Sequence, residues 1–152
     1  MKHIADNIKT IDELVEFMEK EYYPFDFFSI GKYKAIEGLF LEQDGNNYIY
    51  GYSERGHKDI YKIFSDEIEA VQYVLNQISE GQVDNSHLVA WTWNNNEIDA
   101  AESELQALFI PFERNDIPNF DSDGRTAYRI FVEGKNIQYL TDFKKKYMCS
   151  TL

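Results

Sequence analysis

The stretch 51-GYSERGHKD-59 gathers Ser53, Glu54, Arg55 and His57 around Gly56. Serine, glutamate, arginine and histidine are side chains that do nucleophilic and acid–base chemistry. A working nucleophile also needs a base in reach, a group that orients the base, and donors for the developing oxyanion in a recessed site. The spacing here argues for something else. Glycine supplies the positive φ of a tight hairpin turn. Ser53 and Glu54 then end one strand, and His57 begins the next. A protruding hairpin tip offers no shelter from water, so the stretch reads as a turn and carries no catalytic residue.

Other chemical signals are sparse. The three histidines, His3, His57 and His87, have no metal-ligand spacing, and the lone Cys149 makes neither an internal disulfide nor a zinc site. Gly31, Gly38, Gly45, Gly51 and Gly56 are scattered through strands and turns and do not form a phosphate-binding loop. The segment 121-DSDG-124 is rich in oxygen ligands but lacks the twelve-residue series of a calcium loop. No metal or cofactor is expected. The first residues, MKHIADNIKTIDELVEF, have no apolar run after the lysine, so no signal peptide is expected. No window is apolar over about 18 residues, so no membrane contact is expected and the cytoplasm is the expected compartment.

The elements that carry these residues follow from periodicity. Thr10 and Glu13 form a capping-box pattern, and Ile11, Leu14, Val15, Met18 and Tyr22 repeat at helical spacing up to Pro24. Four strand-like runs follow: 25-FDFFSIG-31, 35-AIEGLFLE-42, 47-NYIYGYSE-54 and 57-HKDIYKIF-64, read as an antiparallel meander. Ser65 is a good N-cap for a helix with Ile68, Val71, Leu75 and Ile78 on one face, closed by Gly81. The apolar run 88-LVAWTW-93 reads as a central strand. A helix from Asn94 with Ile98, Ala101, Leu105 and Leu108 comes next, then a strand at 109-FIPFER-114, as in a parallel crossover unit. A polar loop, a strand at 125-RTAYRIFVEG-134 and a helix bearing Ile137, Leu140, Phe143 and Tyr147 complete the chain. The order α-β-β-β-β-α-β-α-β-β-α predicts an α+β class, with a mixed, mostly antiparallel sheet and amphipathic helices against it. The length, 152 residues, points to a single domain spanning 1–152.

Charge supplies the functional signal. The chain has 27 acidic and 15 basic residues, a net charge of −12. Such a surface repels nucleic acid and anionic lipid and attracts basic partners. From Ile63 to Glu113 there is no lysine or arginine, while ten acids occur there. Glu67, Glu69, Asp99, Glu102 and Glu104 are the candidate electrostatic contacts to a partner. Tyr48, Tyr50 and Tyr52 share one strand face and are candidate anchors, since tyrosine is enriched at interfaces.

The runs 51-GYSERGHKDIYKIFSDEIEAVQYVL-75 and 109-FIPFERNDIPNFDSDGRTAYRIFVEGKNI-137 resemble small immunity proteins of bacterial polymorphic toxin systems, those of contact-dependent inhibition or secreted toxins. Together they span about a third of the chain. The resemblance implies a non-enzymatic domain that binds and neutralises a cognate protein toxin with a basic active-site cleft, for which a nuclease fits the charge best. It implies no catalytic residue, and none is carried over. Two other readings accompany it: a nucleic-acid-mimicking or regulatory binding module, and a small hydrolase using an unrecognised carboxylate pair.

Overall fold

The computed structural model describes residues 7–148; His3 and Cys149 lie outside them. The chain is α+β and forms two compact units, Met1–Asp84 and Asn85–Leu152. The element order is the one predicted, with a 3₁₀ turn added before the last helix. The strands, read above as one sheet, divide into two.

The first unit opens with α1 (Ile11–Lys20). Its capping box closes as predicted: Thr10 Oγ1 accepts from Glu13 N at 3.1 Å, and Glu13 Oε1 accepts from Thr10 N at 3.1 Å and Lys9 N at 2.9 Å. Those backbone donors hold the Glu13 carboxyl below the ordinary carboxylate range. Leu14, Val15, Phe17 and Met18 are buried from this helix, each contributing on the order of 2 kcal/mol.

The sheet follows as β1 (Phe28–Ile30), β2 (Gly38–Asp44), β3 (Asn47–Glu54) and β4 (His57–Phe64), paired in that order. β2, β3 and β4 make the predicted antiparallel meander, but β1 lies parallel to β2, with Phe28 opposite Leu39. A tight turn explains this. Ile30 and Tyr33 exchange backbone hydrogen bonds across Gly31 at φ +57°, so the chain doubles back before β2 begins. α2 (Glu67–Ser79) then packs on the same sheet face as α1. Its N-cap is Asp66 rather than Ser65, and Ile68 is left exposed.

The second unit is a three-stranded sheet, β5 (Ser86–Thr92), β6 (Glu113–Ile117) and β7 (Ala127–Glu133), in the order β5-β7-β6. Both outer strands are antiparallel to β7, so they run the same way. The predicted crossover therefore holds in direction, but β7 is inserted between its two strands. β6 begins four residues later than predicted, because Pro111 lacks a ladder donor and Phe109 sits at φ +56°. α3 (Asn95–Ala107) is capped by Asn94, whose Oδ1 accepts from Asn96 N and Glu97 N. Ile98, Ala101 and Leu105 are buried as predicted, whereas Leu108 is exposed. The 3₁₀ turn Gly134–Tyr139 and α4 (Thr141–Tyr147) bring Leu140, Phe143 and Tyr147 onto the same core.

Candidate functional site

The hairpin that joins β3 to β4 is a two-residue turn. Arg55 and Gly56 both have positive φ, +51° and +79°, and Glu54 faces His57 across it. Ser53 stands opposite Lys58 rather than His57. His57 Nε2 lies 3.0 Å from Asp59 Oδ1, two residues along its own exposed strand. Among the described residues no nucleophile is aligned with that histidine, and the stretch is the turn its sequence suggested. The 121–124 loop is likewise built by its own groups: Asp121 Oδ1 accepts from Asp123 N and Arg125 N, and Oδ2 accepts from Arg125 Nε at 2.7 Å. The Arg125 guanidinium in turn lies 3.9 Å from the Trp93 ring centroid.

The acids predicted to meet a partner divide sharply. Glu67 turns inward, where its Oε2 accepts from Ile11 N at 2.9 Å and satisfies a free donor of α1. Asp99 and Glu102 close on Arg114, which arrives from β6: Nη1 donates to Asp99 Oδ1 at 2.8 Å and to Glu102 Oε1. Nε donates to Asp116 Oδ1 at 2.9 Å and Nη2 to Asn95 Oδ1 at 3.0 Å. Hydrogen bonds to Asp116, Glu102 and Asp99 raise the guanidinium pKa further above its ordinary value. Glu104 is met by Lys146 Nζ of α4 at 3.0 Å. Of the five, only Glu69 is exposed and makes no ion pair among the described residues.

Replacing Arg114 by methionine is expected to cost about 2 kcal/mol, because three carboxylates lose their common cation. The deficit should shrink in concentrated salt, which screens their repulsion. Thermal unfolding at low and high salt measures both, and a salt-independent deficit refutes the electrostatic account.

The tyrosines need a correction as well. Their shared face is the one covered by α1 and α2, so Tyr50 is 3% exposed and belongs to the core. It meets Tyr73 at 5.4 Å and Tyr61 at 6.2 Å between ring centroids. Tyr48 packs partly against that core, and Tyr52 lines a cleft of about 290 Å³ with Pro24, Phe27, Phe28 and Leu39.

What sequence reading missed is the surface of β4. Among the described residues this is an edge strand, paired only with β3, and all of it except Phe64 is exposed. Ile60, Tyr61 and Ile63 are 55%, 57% and 57% exposed. Large apolar side chains on an unpaired edge are uncommon, because such edges recruit other strands. The signal was present in 57-HKDIYKIF-64, but nothing in it says that no further strand follows.

Acidic charge is also unevenly shared. The first unit holds 17 acids and 8 lysines and arginines, a net −9, while the second holds 10 and 7, a net −3. The acid-only run drew attention to α3, but the excess lies in the unit that bears β4.

In the second unit a cleft of about 300 Å³ is lined by Ser86, Phe112, Glu113, Phe131, Glu133 and Asn136. Both glutamates are exposed, so water is not excluded from them. Among the described residues, no group of three or more His, Cys, Asp or Glu side chains is arranged to hold a metal, and no helix is long and apolar enough to cross a membrane. Comparison with protein-family models, curated proteins and solved structures found no match.

Proposed function

We propose that this chain is a non-enzymatic immunity protein of the cytoplasm, which binds a cognate protein toxin one to one and blocks its basic active-site cleft. The observation that carries the reading is the net −9 of the first unit, beside −3 in the second. A field of that sign speeds the encounter with a cationic cleft and selects its register. A cleft that binds a phosphate backbone is cationic for the same reason, so a nuclease toxin fits best. Glu69 is the acid retained from the predicted contacts, because its charge is not already neutralised within the fold.

The test is co-expression with the product of the neighbouring gene. Cells should survive, and the two chains should co-purify. Association should slow by about tenfold on going from low to physiological salt. Glu69→Lys should slow it further at low salt, with unchanged thermal stability. Death of the cells with no complex recovered refutes the reading. Capture of a host DNA-binding protein instead assigns the chain to nucleic-acid mimicry.

A further inference from the structure

We propose that the free edge of β4 receives an extended strand from a protein partner, one whose residues alternate between apolar and cationic. The inference rests on the proposed function for the kind of partner, and on β4 itself for the place and the pattern.

The first observation is the edge. β4 is eight residues long, and among the described residues no strand pairs with its second side. A strand in that position presents a row of free N–H and C=O groups, which an added strand can satisfy.

The second observation is the sidedness of β4, which the register fixes. Paired residues of an antiparallel ladder point to the same face. Phe64 lies opposite Tyr48 and Lys62 opposite Tyr50, so these point to the helix-covered face. Ile63 lies opposite Ile49 and Ile60 opposite Gly51, on the other face. Between them the pairing slips by one residue at Tyr61. That bulge returns Tyr61 to the helix-covered face, where its ring meets Tyr50. The strand therefore presents Ile60 and Ile63 on one side, and Asp59 and Tyr61 on the other.

The third observation is where the local cations go. Lys58 Nζ is drawn back to Glu42 at 3.0 Å and lies 5.0 Å from the Phe40 ring centroid. Lys62 lies over Tyr73 and Phe64, at 5.0 and 5.7 Å. Lysines on an edge usually guard it against strand addition. Here Lys58 is engaged within the sheet, and Lys62 lies against the rings of Phe64 and of Tyr73 on α2. The helix-covered side also carries α2 with Glu69 exposed in its first turn. An incoming strand is thus matched by apolar residues beside Ile60 and Ile63, and by cations over the Tyr61 ring and beside Asp59, whose Oδ1 already meets His57 Nε2 at 3.0 Å. A second copy of this chain is the poorer occupant. Two-fold pairing centred on Asp59 or Lys62 sets like charges opposite each other, as does the Lys58 and Lys62 pairing that accompanies a centre at Ile60. Two units of net −9 also repel.

Three synthetic ten-residue peptides test this: alternating Lys/Val, alternating Glu/Val, and the Lys/Val peptide with every second amide N-methylated. The readout is amide hydrogen exchange across the full chain, with sedimentation of the chain alone. At a concentration of ten times its Kd, the Lys/Val peptide should slow β4 exchange by roughly tenfold. The Glu/Val and methylated peptides should have little effect, and Ile60→Asp should abolish the response while leaving thermal stability unchanged. No slowing at β4 overturns the proposal, as does equal slowing by the acidic or methylated peptide. A dimer that Ile60→Asp dissociates also overturns it, since the edge then belongs to a second copy. None of these failures bears on toxin neutralisation, which the co-expression experiment reads whichever surface carries it.

Discussion

Replacing Gly38 with alanine is expected to destabilise the first unit by about 4 kcal/mol, enough to abolish its cooperative unfolding transition. Gly38 sits at φ +118°, a conformation essentially confined to glycine, and a Cβ there falls 2.0 Å from the Phe27 carbonyl oxygen. That oxygen is not free to move aside, because it accepts from Leu39 N at 2.9 Å. Phe28 and Leu39 then begin the parallel pairing of β1 with β2. Relief of the clash separates β1 from the sheet and exposes Phe28 and Ile30, which are buried in the core. Gly56 provides the control. Its φ is +79°, but nothing lies within 4 Å of its added Cβ, so Gly56→Ala should cost only about 1 kcal/mol. Urea unfolding followed by circular dichroism separates the two. Equal midpoints for both variants refute the argument that backbone crowding at Gly38, and not its dihedral alone, holds β1 in place.

That glycine also marks where sequence reading ran out. α1 and α2 were legible because caps and 3.6-residue periodicity are local properties: Thr10 with Glu13, and Val71, Leu75 and Ile78 before Gly81. Strand pairing is not local. The run 25-FDFFSIG-31 looks like the first strand of a meander, and only the Gly31 turn and the close approach at Gly38 make it parallel. Alternation in β7 likewise marks a strand without naming its neighbours, so its place between β5 and β6 was hidden.

The same limit applies to the candidate site. Asp99, Glu102 and Glu104 look unopposed within their own segment because their cations come from Arg114 and from Lys146, 42 residues beyond Glu104. An ion pair needs proximity in space, and a charge run reports proximity only along the chain. Alternation put Tyr48, Tyr50 and Tyr52 on one face correctly, but not which face the helices cover. The exposed apolar residues of β4 are the converse case. Their types were plain in the sequence, and only the strand order shows that the edge beside them is open.

Tyr50 should therefore behave as a core residue, with an effect second only to that of Gly38. Tyr50→Ala is expected to cost about 3 kcal/mol, against about 1 kcal/mol for Tyr52→Ala on the half-buried rim. Burial, with smaller contributions from Tyr73 and Tyr61, pushes the Tyr50 phenol up from an ordinary value of 10.0 to about 12. The sign of the pH dependence follows. The folded state holds this proton more tightly than the unfolded chain, so the stabilisation is complete below about pH 10 and is lost as pH rises through about 12. The loss attributable to this one group is about 2 kcal/mol, allowing for partial screening by solvent. Tyr50→Phe removes the titrating proton while keeping the ring contacts with Phe28 and Tyr73. Its urea midpoint should fall less than that of the parent between pH 9 and pH 12. An identical alkaline fall in both proteins excludes Tyr50 as its source and places its hydroxyl in contact with solvent.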